Sequence, residues 1–198
     1  MPTISCIVEG QGDVQSIPLI IRRIAYETAV YDLTIRPIRI SRTKLVRAGE
    51  LERAIELGAR LAGAAGGVLV VVDADDDCPG QLGPTLQQRA VNARPDVPSR
   101  VVLAAKEKEA WYIAAIESLR GRRGLPRDVT RPENPEGIRA AKEWIGRRME
   151  QKGYSEITDQ AAFAQLFDFT AARQFARSFG KLEREVLRLL AGAPPAIE

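Results

Sequence analysis

The sequence predicts an α/β protein, a doubly wound, four-stranded, mostly parallel sheet with an all-helical extension after it. Three observations lead there. Apolar β-rich runs alternate with amphipathic stretches through the first half. One of the runs, "VLVVVD" at 68–73, is apolar without interruption, as in a strand buried on both faces and therefore central in a parallel sheet. From Asn134-Pro135 onward the patterning becomes helical. The α/β part is expected over 1–120, and the extension, packed on it, over 134–191.

"TISCIVE" (3–9) reads as the first strand and runs into "GQGD". In "DVQSIPLIIRRIAYETA" (13–29) the apolar residues 17, 20, 21 and 24 form a helical stripe. Asp13 is expected to cap that helix, and Pro18 to sit in its first turn. "LTIRPIRI" (33–40) alternates apolar and polar residues, and Pro37 places this strand at a sheet edge. "GELERAIELGARLAGAA" (49–65) is an amphipathic helix stopped by Gly66-Gly67. After the central strand, "GPTLQQRAVNA" (83–93) is expected to start a helix with Pro84 as its first residue. "RVVLAAK" (100–106) is the fourth strand. This β-α-β-α-β-α-β order implies right-handed crossovers in a parallel sheet.

The second half begins with "EKEAWYIAAIESLRG", a helix whose stripe of 111, 115, 116 and 119 makes Trp111 a core anchor. The Arg, Gly and Pro content of 120–135 reads as an exposed loop. Three helices are expected beyond it: "EGIRAAKEWIGRRMEQKG" up to Gly153, "TDQAAFAQLFDFTAARQFARSF", and "KLEREVLRLLAG". Apolar positions 175, 179, 182, 186 and 189 step by 4, 3, 4 and 3, a stripe that faces either a core or a partner.

Composition narrows the chemistry. With 198 residues, 45% hydrophobic and 28% charged, the chain suits a soluble globular protein able to bury a core. No apolar run approaches the ~20 residues that span a bilayer. "MPTISCIVEG" reaches an acid at once, unlike a signal peptide, and Cys6 and Cys78 make no disulfide framework, so a cytoplasmic location is expected. A formal charge of +3 permits a polyanionic partner. The chain contains no histidine. That removes Ser-His-Asp and Cys-His nucleophilic sites and His-ligated zinc, leaving carboxylates, lysines, arginines and hydroxyls. A metal held by such groups would be hard and oxygen-loving.

Acids recur where strands end. Glu9 closes strand 1, and Asp73 and Asp75 close strand 3 at i, i+2 spacing, which puts two strand side chains on one face. Open parallel sheets bind ligands beyond the carboxyl ends of their strands, where strand order reverses. In a 2-1-3-4 sheet that point lies between strands 1 and 3, about 4.8 Å apart. Three crowded carboxylates repel unless a cation neutralises them, and Mg²⁺ (or Mn²⁺) suits such a set. Past strand 4, Glu107 and Glu109 repeat the spacing and could complete a two-metal site. Equally, they could be first-turn acids favoured by a helix dipole. Lys106 and Lys108 between them, with Arg122 and Arg123 of the basic loop, are candidate contacts to a nucleic-acid backbone.

The glutamate-glycine turn and the "DAD" resemble the TOPRIM fold of primases, type IA and type II topoisomerases and overcoming-lysogenization-defect nucleases. "VEGQGD", "VVVDADDDCPG", "KEKEAWYIAAIESL" and "KGYSEITDQAAFAQLFDFTAARQFARSF" together resemble the TOPRIM-like family called domain of unknown function 4276. The resemblance implies Glu9 as general acid/base, Asp73 and Asp75 as Mg²⁺ ligands with Glu9 beside them, and Glu107 and Glu109 as a second acidic motif with catalytic roles. It also implies a partner ATPase in a phage-defence or DNA-processing system. The expected function is a Mg-dependent nuclease or related phosphoryl-transfer enzyme acting on DNA or RNA. The alternative is a non-catalytic metal-binding module that docks a partner through its helical tail.

Overall fold

The computed structural model describes residues 2–150 and 153–192. Four strands, β1 (Thr3–Val8), β2 (Thr34–Arg39), β3 (Gly67–Asp73) and β4 (Ser99–Ala104), form one sheet in the order β2-β1-β3-β4. All three pairings are parallel, with Cys6 opposite Pro37 and Leu69, and Val70 opposite Val101. Pro37 lies on β2, which is an edge strand, where its missing N–H leaves the ladder intact.

Every residue of β3 is buried, because helices cover both faces. Side chains alternate between them. Cys6, Val8, Leu69, Val71 and Val102 enter one core, with α1 (Asp13–Glu27) and the tail; Ile7, Val68, Val70, Val72 and Val101 enter the other. The second face is covered by α3 (Glu50–Ala62) and α4 (Pro79–Ala93), which follow the single short turn α2 (Arg42–Leu45).

The tail is built into the first core. Beyond β4 come α5 (Glu109–Ala114), α6 (Ala141–Gly146), α7 (Asp159–Leu166), α8 (Phe169–Phe175) and α9 (Arg177–Leu190). Helix α9 packs on β3, β4 and α1, and α7 on α1. Phe179, Leu182 and Val186 of the 4-3-4-3 stripe are fully buried there, so the stripe faces the core. Trp111, also fully buried, donates from Nε1 to Ser178 Oγ at 2.8 Å and meets Phe179 edge-on.

Several local expectations are corrected. Asp13 opens α1 without capping it; its Oδ2 accepts from Gly10 N–H at 2.8 Å and so closes the preceding turn. Pro18 lies inside α1 rather than in its first turn, and is buried there. Helix α4 begins at Pro79, with Pro84 inside it. The helix expected after strand 4 gives way at Ala115 to a 3-10 turn over Ile116–Leu119. The helix expected up to Gly153 shrinks to a 3-10 turn at Pro135–Gly137 and the short α6, while 151–152 lie outside the described residues. Asp168 splits the next one by capping α8 through Ala171 N–H. The loop at 120–135 is not wholly exposed, since Leu125 and Val129 are buried in the core.

Two outcomes follow from this packing. Truncating Phe179 to alanine should cost about 3–5 kcal/mol, read as one cooperative shift in urea denaturation by both near- and far-ultraviolet circular dichroism, because sheet and tail share one core. Burial pushes the Cys6 thiol up to about 12 while Cys78 is exposed. A thiol-reactive dye should therefore label Cys78 alone in the folded protein, and Cys6 only after unfolding.

Candidate functional site

The pairing of β1 with β3 sets two carboxyl ends side by side. The chain leaves β1 for α1 on one face, while the helix leading away from β3, α4, covers the opposite face, so a crevice opens at this rim. Glu9, one residue past β1, reaches across it: Glu9 Oε1 accepts from the Asp73 backbone N–H at 3.2 Å. Sixty-four residues of sequence separate the two.

Lys108 is the centre of the cluster. Its Nζ lies 2.7 Å from Asp73 Oδ1, 3.0 Å from Glu9 Oε1 and 3.3 Å from Asp13 Oδ2. The residue is held at its root as well, because its backbone N–H donates to Asp73 Oδ1 at 2.8 Å. Lys108, Asp73 and Asp13 are all nearly inaccessible, at 4, 5 and 2%. Burial raises the Asp73 carboxyl well above the usual range, opposed by the Lys108 ammonium. Burial pushes Glu9 the same way, but Lys108 and the hydrogen bonds with Asp73 outweigh it and hold Glu9 below its usual value. For Lys108 burial works against the charge, yet Asp73, Asp13, Glu9 and Glu109 keep its pKa well above normal.

These groups line a cavity of about 250 Å³ together with Arg42, Asp75, Lys142, Glu156 and Gln160. Arg42, from α2, donates Nε to the Asp73 carbonyl at 2.9 Å and Nη2 to the Ala74 carbonyl at 3.2 Å, pinning the end of β3. It also pairs with Asp75 at 3.4 Å and with Asp77. β3 ends at Asp73, and Asp75 has a left-handed backbone, φ 51°, so the two side chains do not project together as in a continuous strand. Asp73 is buried on Lys108; Asp75 stands at the rim with its side chain 57% exposed. Lys142, which lines the same cavity, pairs with Glu156 at 3.0 Å.

The second acidic pair is engaged by the tail. Glu107 caps α6, accepting from Ala141 N–H at 3.0 Å and Lys142 N–H at 3.4 Å. Glu109, fully buried, accepts from Tyr154 Oη at 3.1 Å and Gln160 Nε2 at 2.7 Å, and burial raises its pKa. Neither lines the cavity of Glu9 and Asp73. Lys106 borders a separate space of about 180 Å³ with Glu107, Asp76 and Arg139. Arg123 pairs with the buried Asp159 at 2.6 Å, and Arg122 is exposed on the loop; neither reaches the cavity. Sequence reasoning missed Asp13 as a cluster member, and Arg42 and Lys142 altogether. Arg42 had a signal, "SRTK" directly after β2, whose carboxyl end shares the same rim. Lys142 had none, since only tertiary packing brings it there.

The donors here are carboxylates, with neither imidazole nor thiolate among the lining residues, which is the chemistry of a hard cation. Acids also outnumber bases: Glu9, Asp13, Asp73, Asp75 and Glu156 face Arg42, Lys108 and Lys142. Asp13 Oδ1 is buried with no hydrogen-bond partner. Among the described residues no three acidic or thiol side chains are grouped to hold a metal ion as they stand. Where three carboxylates converge, the focus is Lys108 Nζ. The carboxylates of Glu9 and Asp73 are donors of the type a hard divalent cation takes, and in this structure the Lys108 ammonium fills the point between them.

Close packing of the tail requires glycine at position 12 of this turn. A Cβ there would fall 2.1 Å from Gln160 Oε1 and 2.3 Å from the Glu156 carbonyl oxygen, so the tail presses directly on the turn. Gly12→Ala should destabilise the fold by about 1–3 kcal/mol, measured as a lowered urea midpoint.

No curated protein and no solved structure matches the chain. The family described as Domain of unknown function (DUF4276) matches residues 8–187, a span that runs from the last residue of β1 into α9 and takes in the whole cluster. The chain belongs to that family.

Proposed function

We propose that this protein is a Mg²⁺-dependent phosphodiesterase acting on nucleic acid. The observation that carries the proposal is the convergence of Glu9, Asp13 and Asp73 on one point, in a cavity where acids exceed bases. Such a surplus repels a phosphodiester until a cation offsets it. Glu9 and Asp73 would hold the ion. When bound it would polarise a phosphoryl oxygen and acidify a water molecule.

The chain's own groups supply the rest. Arg42 and Lys142 both line the cavity and would orient the phosphate. Asp75, the exposed acid at the rim, would accept the proton of the attacking water as its oxygen bonds to phosphorus. The phosphorus–oxygen ester bond breaks, and the departing oxygen takes its proton from solvent. Buried Asp13 would act through Lys108 and the Gly10 turn, not on substrate. Glu107 would position Lys142, whose backbone it caps.

The test is cleavage of end-labelled DNA and RNA oligonucleotides in Mg²⁺ or Mn²⁺. Asp73→Ala should lower the rate by about 10²–10³-fold or more, and chelation should stop it. Equal cleavage by the parent and the Asp73→Ala protein would remove the catalytic assignment.

A further inference from the structure

The cluster contains its own cation. Lys108 Nζ sits within 3.3 Å of three carboxylates that arise from three separate places: the end of β1, the first residue of α1 and the last residue of β3. A buried ammonium so placed does electrostatically what a bound metal would do, cancelling repulsion among crowded acids. The geometry differs. Mg²⁺ needs oxygens at about 2.0–2.1 Å, whereas those around Lys108 stand at 2.7 to 3.3 Å. Both cations cannot occupy one focus.

We infer that Lys108 is the resident counter-ion of this cluster and competes with divalent metal for it, so that metal enters by expelling the ammonium. The inference deepens the metal-dependent reading of the same cavity and rests on it. Two features make the exchange possible without unfolding. The Lys108 backbone is tied to Asp73 Oδ1, so only the side-chain tip must move. The adjoining cavity of about 250 Å³ gives that tip room, and Glu156 on its lining, which pairs with Lys142, is an acid it can share. A displaced Lys108 would then point where the phosphate is expected, so loading the metal would also add a phosphate contact.

The experiment is Mn²⁺ binding to the intact protein, followed by electron paramagnetic resonance of the free ion, with no substrate present. Lys108→Met should bind one Mn²⁺ about tenfold or more tightly than the parent protein, and adding Asp73→Asn to it should abolish that site. Equal or weaker binding by Lys108→Met would overturn the competition while leaving a metal site in place. No binding by either protein would overturn the competition and the metal together, and a loss of cleavage in Asp73→Ala would still stand apart from both. A second measurement uses the parent protein alone, so that it survives misfolding of the variant. In acetic anhydride labelling read by mass spectrometry, Lys108 should be protected without metal and acetylated in saturating Mg²⁺. Continued protection at Mg²⁺ saturation would show that the ammonium stays in place and would end the inference.

Discussion

The parallel pairing of β1 with β3 is the constraint on which the rest depends. Parallel strands end on the same rim, so Glu9 and Asp73 meet although the chain between them makes two further crossings. Apolar β-branched side chains on both faces hold that pairing in register, and a one-residue slip would turn every one of them to the wrong core. The polar cluster therefore inherits its precision from packing beneath it. Burying acids in this way is costly, and leaving a buried charge without its partner is costlier, about 3–5 kcal/mol. Lys108, gripped through both its backbone and its ammonium, is what makes the arrangement sustainable.

The tail completes the site as well as the core. Lys142, Glu156 and Gln160 line the cavity, Glu107 and Glu109 tie the segment after β4 to the tail, and Asp159 holds Arg123 of the loop. Side chains from both halves enter one hydrophobic cluster. The 4-3-4-3 stripe that could have been offered to a partner is consumed by this packing.

How much of this was legible in the sequence depends on the range of the forces involved. The edge position of β2 and the central place of β3 could be read, because uninterrupted apolar runs and Pro37 report burial and hydrogen bonding locally; the strand order 2-1-3-4 came with the resemblance to the TOPRIM fold. The meeting of Glu9 and Asp73 followed from topology. Other features were hidden. The i, i+2 rule holds only while a strand continues, and the left-handed turn at Asp75 ends it. Helix lengths in the tail were overestimated because apolar spacing persists through Ala115 and Asp168, where tertiary contacts and a cap interrupt the backbone. Lys108 looked like a free cation flanked by acids, yet the fold turns it inward.

The chain order of the cluster matters during synthesis. Asp13 and Asp73 precede Lys108 in the sequence, so a growing chain presents the acids of this rim well before their balancing ammonium is made. Until Lys108 has emerged from the ribosome, β1 and β3 can associate only by leaving those carboxylates hydrated, protonated or bound to a cation from the cell. The finished sheet takes in β4 and the residues just beyond it, and a nascent protein halted short of that point would carry an open, acidic edge.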